Sequence, residues 1–196
     1  KPHPATKVLN KDFHLFDDLF LGPQTAPKAL RVNGYEANDM IFEHPKKVYR
    51  EYLAKSEIST NSEALLRVWN FRNITGTKAN TPEGRAQIVS REREVLQHIN
   101  HQNRDLYNHC LRSLTSFQKD EVTAEYSEVY EVPPGHVRFN EFIGKYGKNF
   151  SDMDRLNVVK LLIAKFSDLH EMKIAHRDVA DHSLWISPSK EVALSN

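Results

Sequence analysis

A chain of 196 residues, 39% of them hydrophobic, is long enough for one ordinary globular core with an appended segment, which excludes disorder along its whole length. Lys and Arg number 27 against 26 Asp and Glu, so no net field draws the protein to nucleic acid or anionic lipid. Cys110 is the single cysteine, which rules out an internal disulfide framework and a Cys-rich zinc site, suits a reducing cytoplasm and leaves Cys110 as a small buried apolar side chain. No apolar run reaches the ~18 residues that span a bilayer, and no charged-then-apolar leader opens the sequence. A soluble cytoplasmic protein, with no membrane contact and no direct nucleic-acid binding, is the expectation. Because Lys1 replaces an initiating Met and Asn196 falls in what reads as a strand, a piece of a longer chain is expected.

Residues 1–45 read as an N-terminal arm or strap. Pro2, Pro4, Pro23, Pro27 and the Asn33-Gly34 turn signal break them up, while Phe13, Phe16 and Phe20 recur at helical spacing. Two β-rich segments follow, Val48 to Leu53 and Ala64 to Trp69, and they read as an antiparallel pair. Thr81-Pro82-Glu83 supplies an N-cap, a proline at the first helical position and an acid in the first turn. Ile88, Glu92, Val95, Leu96 and Ile99 then share one helical face, and the helix is expected to end before Asn100.

Residues 111–118 and 125–132 read as two further strands, the second running into Pro133-Pro134-Gly135, a hinge signal. Ser151 and Asp154 make a capping-box start for a long helix whose apolar stripe is Leu156, Val159, Leu162, Ile163, Phe166 and Leu169. Such a stripe needs covering, so a protein partner or the remainder of a longer chain is expected over the helix at 151–172. After it come His176-Arg177-Asp178 and a hairpin of Leu184-Trp185-Ile186 with Val192-Ala193-Leu194 around Ser187-Pro188. His98, His101, His109 and His170 read as solvated or core-satisfied side chains rather than a metal cluster, and Trp69 and Trp185 as core aromatics.

His176-Arg177-Asp178 between a long amphipathic helix and Leu184-Trp185-Ile186 resembles the catalytic loop of the protein kinase family. The resemblance covers residues 46–196, and is nearest to divergent bacterial kinases of eukaryotic type, including those joined to nuclease-related domains. It implies an α+β, bilobal fold: an antiparallel small lobe with one long helix at 46–132, then a hinge and the first part of a helical large lobe at 133–196. By the family pattern Asp178 matches the catalytic acid that orients the attacking hydroxyl. Arg67 stands where the small-lobe lysine is expected, with Glu92 as its ion-pair partner.

The same resemblance assigns Glu131 and Val132 to the adenine edge, Tyr130 to the residue behind it, and Ser183 and Asn196 to the magnesium positions. The implied cofactors are ATP and Mg²⁺. Several positions depart from the pattern. Arg67 replaces Lys, Ser183 replaces Asn, Asn196 replaces Asp, and the Ser56 to Glu63 turn has no glycine to bring backbone amides to a triphosphate. Neutral oxygens hold Mg²⁺ poorly compared with a carboxylate. Two expectations therefore stand side by side: a pseudokinase acting as a regulatory or binding module, and an active ATP-dependent serine/threonine kinase with Asp178 as base.

Overall fold

The computed structural model describes residues 29–58, 63–115, 118–119 and 126–195, and from Arg31 onward these belong to one compact unit. Asn196 and the expected helical knot at Phe13 to Phe20 lie outside the described residues.

The sheet starts earlier than the sequence suggested. Strands β1 (Leu30–Val32) and β2 (Tyr35–Glu43) are joined by a turn in which Asn33 and Gly34 both have positive φ, 50° and 81°, the hallmark of a tight hairpin. These residues had read as the end of an arm. Strand β2 hides in the sequence because its register against β3 (Tyr49–Ser56) slips twice, between Ala37 and Phe42, which destroys the period-two alternation. Strand β4 (Glu63–Trp69) pairs antiparallel with β3, as the sequence implies, and is central.

Short β5 (Arg112–Ser113) and β6 (Gln118–Lys119) both pair with β7 (Tyr126–Glu131), and the sheet order is β1-β2-β3-β4-β7-β5. A second small sheet, β10 (Val192–Leu194), β9 (Leu184–Ile186), β8 (Val137–Arg138), contains the expected hairpin and the strand after the Pro-Pro-Gly turn. In that turn His136 N donates to Pro133 O at 3.1 Å, with Gly135 at φ 73°.

Because side chains alternate along a strand, β4 serves two layers. Ala64, Leu66 and Val68 join Val32, Ala37, Ala54 and Val129 on one face. Leu65 and Trp69 join Tyr49, Tyr130, Trp185 and Ala193 on the other, and Arg67 lies between them by the same alternation.

Helix α1 (Pro82–Gln102) begins on the Thr81 cap, whose Oγ1 accepts from Gly84 N at 3.1 Å, and runs past the expected end before Asn100. It is followed by short α2 (Arg104–Asn108) and, after β8, α3 (Phe139–Tyr146). Helix α4 (Asp152–Glu171) opens on the expected capping box: Ser151 Oγ accepts from Asp154 N at 3.1 Å, and Asp154 Oδ2 from Ser151 N at 3.0 Å.

The α4 stripe is divided. Val158, Lys165 and Leu169 are buried and Leu162 and Phe166 partly so, while Leu156, Val159 and Ile163 are exposed. None of the helices among the described residues is long and apolar enough to cross a membrane. The architecture is mixed α+β, with a curled antiparallel sheet and several helices.

Gly84 is buried where α1 passes the turn at 77–80, and a Cβ placed there would collide with the backbone carbonyl of Lys78. Helix propensity alone favours Gly84→Ala by ~1 kcal/mol. The collision is with backbone and cannot be relieved by a rotamer change, so the variant is expected to lose ~1–3 kcal/mol instead. Urea unfolding of the two proteins checks the sign.

Candidate functional site

The alternation that faces Arg67 inward also places two carboxylates beside it. Glu51 on β3 and Glu128 on β7 are its direct cross-strand neighbours. Glu51 is fully buried, and its Oε1 accepts from Arg67 Nε at 2.8 Å. On the helix side, Arg67 Nη1 donates to Glu92 at 3.0 and 3.3 Å, so the pair expected between strand and helix is present. Tyr130 Oη donates to Glu92 Oε2 at 2.9 Å, and the guanidinium sits 4.4 Å from the Tyr49 ring centroid and 4.9 Å from that of Tyr130. Burial would lower the Arg67 pKa, yet Glu92, Tyr49 and Tyr130 outweigh it and drive it up. Arg67 is a permanent buried cation with both ends of its fork engaged.

The second carboxylate oxygen of Glu51 meets Arg138 of β8. Arg138 Nη1 also donates to His182 O at 2.6 Å, and its guanidinium carbon lies 4.1 Å from the Phe42 centroid and 4.6 Å from that of Trp185. A planar cation thus lies close to two aromatic rings. The other flank of the sheet is closed by Arg93, which donates to Glu128 Oε1 at 2.6 Å, while Ser113 Oγ donates to the same oxygen. Arg112 pairs with Glu131 at 2.7 Å. Phe42, Tyr49, Glu51, Arg138 and His182 had no signal in the motif reading. Glu51 was recoverable in part, since it falls on the same strand face as Tyr49, but a charge in a strand ordinarily reads as solvated.

Asp178 is placed by the turn after α4, and its carboxylate is approached from two sides. His182 Nε2 lies 2.8 Å and His44 Nε2 3.3 Å from the same oxygen, Oδ2. His44 stands at the start of the hairpin between β2 and β3, a loop of five residues without glycine, His44-Pro45-Lys46-Lys47-Val48. This hairpin therefore lies next to Asp178. Lys46 N donates to His44 Nδ1 at 3.1 Å, which leaves the neutral ring's proton on Nε2, aimed at Asp178. Burial lowers the His44 pKa below its usual 6.5 despite Asp178, consistent with a neutral ring. For Asp178, burial would raise the pKa, but the His182 and His44 hydrogen bonds hold it below the usual 3.8.

Ser183 is fully buried, and its hydroxyl is used within its own turn, accepting from Ala180 N at 3.0 Å and donating to Ala180 O at 2.9 Å. Tyr130 is fully buried, Glu131 and Val132 are half-buried, and Asn196 lies outside the described residues. Burial pushes the Cys110 thiol up to about 12, leaving it inert as expected. A cavity of about 430 Å³ is lined by Glu92, Leu96, Cys110, Leu169, Asp178 and Leu194 among others, but not by Arg67, Glu51, Arg138 or Trp185.

Two outcomes follow from these contacts. Glu51→Ala leaves Arg67 short of one carboxylate and Arg138 without any, and is expected to cost ~3–5 kcal/mol. Adding Arg138→Ala should recover part of that loss, so a strictly additive double-mutant cycle would dissociate the two residues. On acidification, His44, His176 and Asp178 all have lowered pKa values in the fold, so each binds fewer protons folded than unfolded and stability rises with pH. The histidine contribution is full above the usual 6.5 and is lost as pH falls through the folded values; that of Asp178 is lost below 3.8. Melting temperature should fall between about pH 7 and 5, and His44→Gln should flatten part of that slope.

No protein-family model and no curated protein matches this chain. Among solved structures it is similar to PpkA-294 in its apo form, a bacterial kinase, with a TM-score of 0.61 and 14% sequence identity over 88% of this chain. The chain spans 61% of the length of that structure. At this identity the likeness concerns the fold alone, and the fold is kinase-like.

Proposed function

We propose that this is a divergent kinase-like domain that works as a regulatory or binding module, a pseudokinase, rather than as a phosphotransferase. The observation that carries this reading is that the charged and aromatic groups around Arg67 already satisfy one another. The Arg138 guanidinium lies against Phe42 and Trp185, and Glu51 binds it and Arg67 together. Among the described residues, those assigned to ATP and Mg²⁺ do not fit these ligands. Arg67 already has two carboxylates and Ser183 keeps its hydroxyl within its turn. Asp178, a half-exposed carboxylate with two imidazoles on one oxygen, is a weakened proton acceptor.

The exposed part of the α4 stripe, Leu156, Val159 and Ile163, is the face such a module would present to a protein partner or to the remainder of a longer chain in the bacterial cytoplasm. The alternative, an active serine/threonine kinase on two lobes, draws on one observation: the Arg67–Glu92 pair is formed.

The experiment is titration of ATP with and without Mg²⁺, followed by thermal shift and phosphotransfer to a generic protein substrate. A nucleotide at ~100 times its Kd would stabilise the fold by ~2.7 kcal/mol, so its absence is easy to see. No shift with either form is expected. Tight Mg·ATP binding with phosphorylation abolished by Asp178→Asn would overturn the proposal in favour of the enzyme.

A further inference from the structure

The geometry points to a binding site for a borderline divalent transition ion, of the Zn²⁺ or Co²⁺ kind, made by His44, Asp178 and His182. The site is separate from the magnesium positions that the resemblance assigns to Ser183 and Asn196, and it does not depend on whether nucleotide binds. One imidazole nitrogen from each histidine and a carboxylate oxygen all lie within 4.8 Å of one another. Two of the ligand separations, 2.8 and 3.3 Å, are the edge lengths expected when bonds of ~2.0–2.2 Å meet at one ion. Both rings are buried and come from different elements, the β2–β3 hairpin and the turn before β9, so the donors are held by the fold. Asp178 is half-exposed, which supplies an entry path and room for water as a further ligand.

Two nitrogens and one oxygen select against Mg²⁺, which prefers oxygen and keeps its waters, and suit the ions that imidazole binds well. His182 is prepared for the role: its Nδ1 faces Asp181 Oδ1 at 3.6 Å, so a proton shifted to Nδ1 would meet a carboxylate, as ligating histidines commonly do. His44 is not. Its Nδ1 accepts from Lys46 N–H, and ligation through Nε2 requires the proton to move to Nδ1 and the Lys46 amide to turn away. The ion therefore replaces the two N–H···O contacts on Asp178 by two N–metal bonds and one metal–O bond, with each ring proton retained on the opposite nitrogen. One lost hydrogen bond weakens binding by about tenfold without abolishing it.

The test is calorimetric titration of the full chain with Zn²⁺, alongside the visible absorption of bound Co²⁺ and the amide resonance of Lys46. The expected result is one ion per chain, a Co²⁺ spectrum with nitrogen ligation, a shifted Lys46 amide and no response to Mg²⁺. His44→Gln, His182→Gln and Asp178→Asn, each verified as folded by circular dichroism, should weaken Zn²⁺ at least ~10-fold, whereas His98→Gln with His101→Gln should not. Absence of binding, an unmoved Lys46 amide in the Zn²⁺-bound wild type, or affinity unchanged in the His44→Gln, His182→Gln double variant would each overturn the site.

Discussion

Glu51 holds two guanidiniums on one buried carboxylate, and the arrangement of four separate elements depends on that constraint. Its strand, β3, carries it opposite Arg67 of β4; Arg67 reaches Glu92 on α1; and the other oxygen meets Arg138 from β8. Removing water from a charge costs several kcal/mol per ion, and attraction repays that only if every donor and acceptor finds a partner. The structure answers that cost by alternating sign, guanidinium against carboxylate, from Arg138 through Glu51 and Arg67 to Glu92, although Arg138 Nε stays buried without a hydrogen-bond partner. Tyr130, Tyr49, Phe42 and Trp185 enclose the row, excluding water and strengthening each contact. Such a row contributes geometry more than net stability, because an apolar replacement of similar volume often does as well.

The Asp178 site follows the same logic at the surface. Its two histidines come from different elements and meet edge to face at 4.9 Å, one brought by the hairpin after Phe42, the other by the turn whose carbonyl, at His182, accepts from Arg138. Phe42 packs against His182 at 5.6 Å, so the hairpin's position is fixed by contact with the turn. The buried row and the Asp178 cluster are therefore joined through Arg138 and His182, and a shift in one reaches the other through named bonds. Coupling of that kind belongs to a device that reports binding as readily as to one that catalyses.

Local patterns made most elements legible in the sequence. The Thr81 cap, the Ser151 and Asp154 box, the hairpin at 184–194 and the strand around Arg67 rest on short-range chemistry, and the structure places each within a few residues of its expected position. Strand β2 was missed because two register slips erase its alternation. The α4 stripe was right at Leu162, Phe166 and Leu169 but missed Val158 and Lys165, the latter a charge whose inward position burial disfavours. Arg67, Glu92 and Asp178 were found through a motif, but Glu51, Arg138, His44 and His182 were not, since what unites them is tertiary. Glu51 and Arg138 are 87 positions apart (138 minus 51), and a lone charge carries no mark that it will be buried against another.

That tertiary pairing is also the basis on which we propose a regulatory role rather than phosphoryl transfer. Such chemistry needs cations with unspent charge, ready to meet phosphate oxygens as negative charge develops on them. Here the three buried or half-buried guanidiniums near the site are matched before any ligand arrives: Arg67 by Glu51 and Glu92, Arg138 by Glu51, and Arg93 by Glu128. A triphosphate taking Arg67 would leave Glu51 or Glu92 with a buried charge lacking its counter-ion, at ~3–5 kcal/mol. At ~1.4 kcal/mol per tenfold, that alone reduces affinity by roughly two to three and a half orders of magnitude. A carboxylate could escape by taking up a proton, and burial already raises the pKa of Glu92 in that direction. Binding would then consume a proton, and the energy of that step would come from the ligand rather than from a site organised in advance.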